Sequence, residues 1–234
     1  MMIESLQIQN ISKHFDGIKA VDGVSFTLNQ AFSVGIYGDN GAGKTTLFNL
    51  ISGFEFPDTG NVILNGKDIT RENVLNRAKM GMGRLFQNPR VFNEVTVLDN
   101  LLAASKNDTA HHLINYLVKR ERIRTEDKAN MDKAYKILDD FSLSTKAQQK
   151  AYELSIGEKK LLSLGCLIMN DAKLILLDEP FTGINPNMID KIIHILQDMK
   201  RTGHTFIVIE HNYERMMSFI DQVYKMFNGK VVAV

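Results

Sequence analysis

Residues 38–46 read Gly-Asp-Asn-Gly-Ala-Gly-Lys-Thr-Thr, and no other stretch of this 234-residue chain restricts the possible folds so narrowly. The spacing is G-x-x-x-x-G-K-[ST]. Its glycines let the backbone curl so that successive N–H groups point inward, the arrangement that cradles a polyphosphate. Lys44 supplies a cation, Thr45 a hydroxyl suited to Mg²⁺, and the helix that starts there adds its positive end. Such a loop needs a strand before it and a helix after it. Phe32, Val34 and Ile36 alternate upstream, and Leu47, Phe48, Leu50 and Ile51 recur at helical spacing up to Gly53. A glycine-rich turn without a ligand has no need of a Lys-Thr pair at that offset.

Three further stretches place polar residues at the ends of apolar strands. Leu174 to Leu177 reads as a strand buried on both faces, closed by Asp178, Glu179 and Pro180. Open α/β sheets hold their ligands at that end of a strand. Asp178 is suited to Mg²⁺, directly or through water, and Glu179 to polarising an attacking water. Thr205 to Ile209 is a second buried strand, ending in Glu210 and His211; the histidine can reach a γ-phosphate or serve as a polar cap. A third strand, Gly81 to Phe86, ends at Gln87, a weak signal by itself. Near the start, strands at Ile3 to Asn10 and Val24 to Leu28 flank a turn at Asp16-Gly17, with Phe15 beside it. An aromatic there can stack on an adenine, although composition alone makes Phe15 a core residue.

The intervening chain changes texture. Pro57 to Gly60 reads as a turn, followed by a strand at Asn61 to Leu64 and a tight hairpin at Asn65-Gly66. From Thr96 to about Lys150 the periodicity is helical. Thr96 caps a helix through Leu102, and helices follow at Leu113 to Glu121 and Met131 to Phe141, the latter with Met131, Ala134, Tyr135, Leu138 and Phe141 on one face. The charge-rich Lys119 to Lys128 reads as solvated. Ser155 and Glu158 form a capping box that opens a helix to Met169; this explains them without a ligand, though a phosphate can also dock at such a start. Asn185 and Pro186 open another helix, with Ile189, Ile192, Ile193 and Leu196 on one face and Gly203 as its stop. Val223 to Phe227 and Lys230 to Val232 flank a turn at Asn228-Gly229.

A formal net charge of +1 gives no global field favouring nucleic acid or an anionic membrane. The apolar runs fall far short of the roughly 20 residues that span a bilayer, and residues 1–5 show no basic region followed by an apolar block. The expectation is a chain soluble by itself. The lone Cys166, in an apolar helical stretch, reads as core and excludes a disulfide framework.

Together these motifs resemble the ATP-binding cassette family, the nucleotide-binding subunits of ABC transporters, over nearly the whole chain and in the family's order. Gly38 to Thr46 (Gly38, Asp39, Asn40, Gly41, Ala42, Gly43, Lys44, Thr45, Thr46) is similar to Walker A, Gln87 to the Q-loop, Leu154 to Glu158 to the signature, and Leu174 to Glu179 to Walker B. Gly183 to Pro186 resembles the D-loop, His211 the switch histidine, and Phe15 the adenine-stacking position. Arg84-Leu85-Phe86-Gln87, Glu94 to Leu101, Gly183-Ile184-Asn185-Pro186 and Ile209-Glu210-His211 are similar to the LivG-type branched-chain amino acid importers, with lipopolysaccharide-export ATPases sharing much of the pattern. Ile156 and Glu158 depart from the usual glycine and glutamine of the signature. Asn185 stands where many relatives have aspartate. Relatives usually continue beyond a position like Val234, which leaves a truncation or a shorter natural form open.

The resemblance implies an α/β fold: a P-loop NTPase cassette with a mixed β core, an antiparallel β subdomain and an inserted α-helical subdomain. One cassette domain then fills 1–234, with the core and antiparallel part at about 1–88 and 164–234 and the helical part at 89–163. It further implies an ATPase in which Lys44 and the loop amides hold phosphate, Thr45, Gln87 and Asp178 serve Mg²⁺, and Glu179, Gln87 and His211 act on water and γ-phosphate. Ser155 and Gly157 would contact the ATP of a second cassette, identical or paralogous. A groove by Gln87 and the helical insertion would receive a membrane permease, with a substrate-binding protein indirectly involved in an importer, no nucleic acid, and a place on the inner face of the cell membrane. A soluble cassette acting on ribosomes or DNA is the competing class. The single phosphate loop and the absence of sustained heptads between Lys44 and Asp178 disfavour it.

Overall fold

The structure is a computed structural model that describes residues 4–105, 120–211 and 213–234. The chain divides into two units, Met1–Gln87 with Ala172–Val234, and Asn88–Asp171.

In the first unit, β1 (Glu4–Phe15) and β2 (Ile18–Asn29) form one long hairpin about Asp16-Gly17. Both strands outrun the short apolar stretches that predict them, because the ladder continues through polar residues as far as the turn. Register shifts between Ile8 and Lys13 bend the pair, as bulges do. β4 (Thr59–Leu64), which takes in the expected turn residues Thr59 and Gly60, and the short β5 (Lys67–Asp68) complete an antiparallel sheet ordered β2-β1-β4-β5.

The second sheet contains β3 (Ser33–Tyr37), β6 (Met82–Leu85), β7 (Leu174–Asp178), β8 (Thr205–Ile209), β9 (Gln222–Phe227) and β10 (Lys230–Ala233), ordered β10-β9-β3-β8-β7-β6. Its neighbours run parallel except the β9–β10 hairpin, so the sheet is mixed. β8 is buried throughout and β7 is buried up to Asp178, which explains their unbroken apolar sequences. One apolar core joins both sheets, from Leu6, Ile8 and Val24 to Ile36, Leu176 and Ile207, with Leu47, Phe48 and Ile51 of α1 (Lys44–Ser52) inside it.

α2 (Val74–Lys79) is a short helix that the apolar spacing did not announce. Its Arg77 is fully buried and donates to Leu50 O at 2.7 Å and Ile51 O at 2.5 Å, capping the far end of α1. Burial lowers the guanidinium pKa to about 10, against the pull of Glu72 and Asp68, and still leaves it charged at neutral pH.

The second unit contains α3 (Val97–Ala103), α4 (Arg120–Asp140) and α5 (Ile156–Met169). α5 belongs to it over its full length, so the division expected at 163/164 moves to 171/172. The reason is packing: a Cβ on Gly165 would stand 2.9 Å from both Ile137 and Leu101, so the missing side chain lets α5 approach its neighbours. On α4, Ala134, Ile137 and Leu138 are buried with the following Phe141, whereas the expected Met131 and Tyr135 are exposed. Residues 113–119 of the expected preceding helix lie outside the described residues. Thr96 caps α3 by accepting from Asp99 N, and buried Asn100 exchanges hydrogen bonds with Phe92 N and O. Cys166 is half-buried rather than in the core; it donates to Asn100 O, and burial pushes its thiol up to about 12, away from a reactive thiolate.

Back in the first unit, α6 (Pro186–Arg201) starts at Asn185, whose Oδ1 accepts from Met188 N at 2.9 Å. Its buried face is Ile189, Ile192, Ile195, Leu196 and Met199, with Ile193 only half-buried at the margin. α7 (Tyr213–Met217) follows β8.

Candidate functional site

Parallel pairing of β3, β8 and β7 matches Ile36 with Ile209 and Ile209 with Asp178, so the chain leaves all three strands at one edge of the sheet. The phosphate loop, the carboxylates and the histidine therefore converge without being near in sequence. There a cavity of about 520 Å³ is lined by Asn40, Gly41, Gly43, Lys44, Thr45 and Thr46 on one side and by Glu179, Ile209 and His211 on another.

α1 begins with Gly43 in the left-handed region (φ 105°) and carries no side-chain cap. A Cβ at Gly43 would overlap Ala20 O, and one at Gly38 would overlap Met226 O. Lys44 is buried and its Nζ donates to Gly38 O and Asp39 O, each at 2.8 Å, closing the loop. Burial pushes its ammonium below the ordinary value, against the attraction of Glu179, Asp39 and Asp178. Ala42 is buried and donates from its N–H to Asp39 O.

Glu179, itself left-handed (φ 48°), stands between two partners. Gln87 Nε2 donates to its Oε2 and His211 Nε2 donates to its Oε1, both at 2.8 Å. The three residues expected to handle water and γ-phosphate thus form one connected group, of which Glu179 and His211 line the cavity.

Asp178 has a different partner. Arg84 Nη2 donates to its Oδ2 at 2.6 Å, while Nη1 reaches Asn49 Oδ1 and Ser52 Oγ on α1. Among the described residues no cluster of three or more His, Cys, Asp or Glu side chains could hold a metal. The donors suit Mg²⁺, which takes one or two protein oxygens and completes its shell with phosphate and water. Thr45 offers a hydroxyl at the cavity wall and Asp178 a second carboxylate oxygen.

Phe15 does not reach the cavity wall. It pairs with Ile18 across the hairpin turn, its ring 5.5 Å from Lys13 Nζ, and Ile18, Lys19 and Ala20 supply that wall instead. Asn228 and Gly229 also line the cavity; Gly229 N donates to Ala42 O, which ties the β9–β10 turn to the phosphate loop. Local sequence gave these two residues as a hairpin turn and nothing more. Ser155 and Gly157 lie in the second unit and do not line the cavity; Ser155 Oγ accepts from Glu158 N, while Glu158 Oε2 accepts from Ser155 N.

A glycine loop between a buried parallel strand and a helix, beside a lysine, two carboxylates and a histidine, defines a P-loop ATPase. The family model described as ABC transporter matches residues 21–182. The chain is 39% identical over 231 residues to "Probable branched-chain amino acid transport ATP-binding protein LivG" of Methanocaldococcus jannaschii, covering 99% of this chain and 89% of that one. It is 30% identical to "Lipopolysaccharide export system ATP-binding protein LptB" of Haemophilus influenzae, covering 97% and 89%. A solved nucleotide-free ATP-binding cassette from an ABC transporter superposes with a TM-score of 0.83 at 38% identity, covering 98% and 90%, and a cassette in its ADP conformation with 0.83 at 37%, covering 98% and 89%. The chain belongs to the ABC transporter family, as an ATP-binding cassette subunit with ATPase activity. Membership implies a partner permease. No helix among the described residues is long and apolar enough to cross a membrane.

Proposed function

We propose that this chain drives the uptake of branched-chain amino acids by hydrolysing Mg²⁺-ATP on the inner face of the cell membrane. The observation that carries the solute class is the 39% identity to a LivG-named relative over 99% of the chain, against 30% to the LptB-named one. In this reading a second cassette, identical or paralogous, supplies Ser155 and Gly157 to the ATP held here. Permease subunits dock on each cassette, and a substrate-binding protein delivers the solute to them. Nucleic acid has no part.

ATP phosphates would rest on the amides of residues 41–46 and on Lys44, and the adenosine would extend along Ile18 to Ala20. Mg²⁺ would be held by Thr45 and Asp178 with Gln87 nearby, and supplies charge neutralisation for the phosphates. Glu179 orients the attacking water and accepts its proton, and His211 holds Glu179 on one side while facing the γ-phosphate position. The test combines two measurements. Glu179→Gln is expected to bind ATP as the parent does while hydrolysis falls by about 100-fold or more. Detergent extraction of membranes is expected to bring down permease chains whose reconstitution imports leucine, isoleucine or valine. Unchanged hydrolysis in Glu179→Gln removes its role, and co-purification with ribosomes, DNA or a lipid exporter overturns the solute reading.

A further inference from the structure

Glu210 follows the fully buried strand β8 and is itself only 3% exposed, which is unusual for a carboxylate and requires partners. Both oxygens are engaged by backbone donors. Phe181 N donates to Oε1 at 3.0 Å, and His211 N donates to Oε2 at 3.2 Å. Phe181 lies two residues beyond Glu179 in the turn that leaves β7, and His211 opens the segment that leaves β8. One buried side chain therefore fastens two separate backbone segments whose reactive side chains, Glu179 and His211, meet at 2.8 Å.

The turn at Glu179 needs such a fastening. A non-glycine residue at φ 48° is in the strained left-handed region and persists only where its surroundings hold it. Two bonds do so on the two sides of the residue: Glu179 N donates to Ile209 O, and Phe181 N to the Glu210 carboxylate. The backbone of Glu210 is in turn anchored by donating to Ile36 O of β3, the strand that feeds the phosphate loop.

We propose that Glu210 is a positioning residue for hydrolysis: its carboxylate sets the spacing of Glu179 and His211 while taking no part in holding the nucleotide. The inference rests on the roles assigned above to Glu179 and His211. Glu210→Gln keeps the size but turns one oxygen into an NH₂ that faces an N–H donor, so one of the two links is lost. In steady-state hydrolysis by the purified chain, kcat is expected to fall about 10- to 100-fold with KM for ATP nearly unchanged. Glu210→Asp, which cannot span both amides, is expected to show the same split. In spectra of protein carrying ¹⁵N-histidine, the His211 Nε2 signal of Glu210→Gln is expected to move toward its position in Glu179→Ala, where its partner is gone. Melting curves and ADP affinity close to the parent's accompany the expected result. A parent-like kcat and His211 signal in Glu210→Gln, with Glu179→Gln inactive, would overturn this inference alone. Active Glu179→Gln would remove the assignment on which it stands. A parallel loss of ADP affinity and kcat in both Glu210 variants would make Glu210 merely structural and overturn it too.

Discussion

Two helices in this chain begin in opposite ways. α5 starts with a complete capping box: Ser155 and Glu158 satisfy each other's amides, Glu158 places a negative charge in the first turn, and Lys146 holds its other oxygen at 2.6 Å. α1 starts at a left-handed glycine with neither a side-chain cap nor an acidic residue in its first turn, while a buried arginine cation closes its far end. A helix start leaves N–H groups and a partial positive charge to be satisfied. At α5 the protein supplies the anion itself. At α1 it supplies none, which supports the phosphate-binding role proposed above for the loop that opens this helix.

The contrast can be broken most severely at α1. Gly43→Ala forces a Cβ onto Ala20 O at a left-handed position; it is expected to cost about 2–4 kcal/mol of folding free energy or, where the loop shifts instead, about 100-fold in nucleotide affinity. Calorimetric titration with ADP beside thermal melting reads both. Arg77→Met probes the other end of the same helix. Stranding the Leu50 and Ile51 carbonyls is expected to lower stability by about 3 kcal/mol in urea unfolding, with ADP affinity of the folded fraction kept.

The smaller effects lie at α5. Ser155→Ala is expected to cost about 1 kcal/mol and leave ADP binding by the isolated chain untouched. Burial opposes the charge on Glu158, but hydrogen bonds from Lys146 and Ser155 outweigh it and hold its carboxyl below the ordinary 4.5. A carboxyl lowered on folding stabilises the fold at neutral pH, and that contribution fades as pH falls below 4.5 toward the folded value. Glu158→Gln should therefore flatten part of the acid-unfolding curve; an unchanged curve would show that the box contributes no ionic stabilisation.

The same contrast separates what the sequence discloses from what it hides. Caps at Thr96, Ser155 and Asn185 and the loop at 38–46 were legible because each is a short run whose chemistry is local. The burial of β7 and β8 was legible from unbroken apolar runs. What could not be read were pairings between distant segments: Arg84 with Asp178, Glu210 with Phe181 N, and Arg77 with the end of α1. The cavity wall shows the same limit. Phe15 is the aromatic a sequence reader notices, yet the hairpin register brings Ile18 and its successors to the wall. On α4, Met131 and Tyr135 are apolar by type, but the helix face that meets its neighbours contains Ile137 instead.

The most direct test follows backbone amide signals by NMR while ADP is added to the chain alone. Signals of Gly41, Gly43, Lys44 and Thr45 are predicted to move together with a single affinity, and those of Ser155 to Glu158 to stay in place. Movement at Ser155 to Glu158 with a silent phosphate loop would contradict the account.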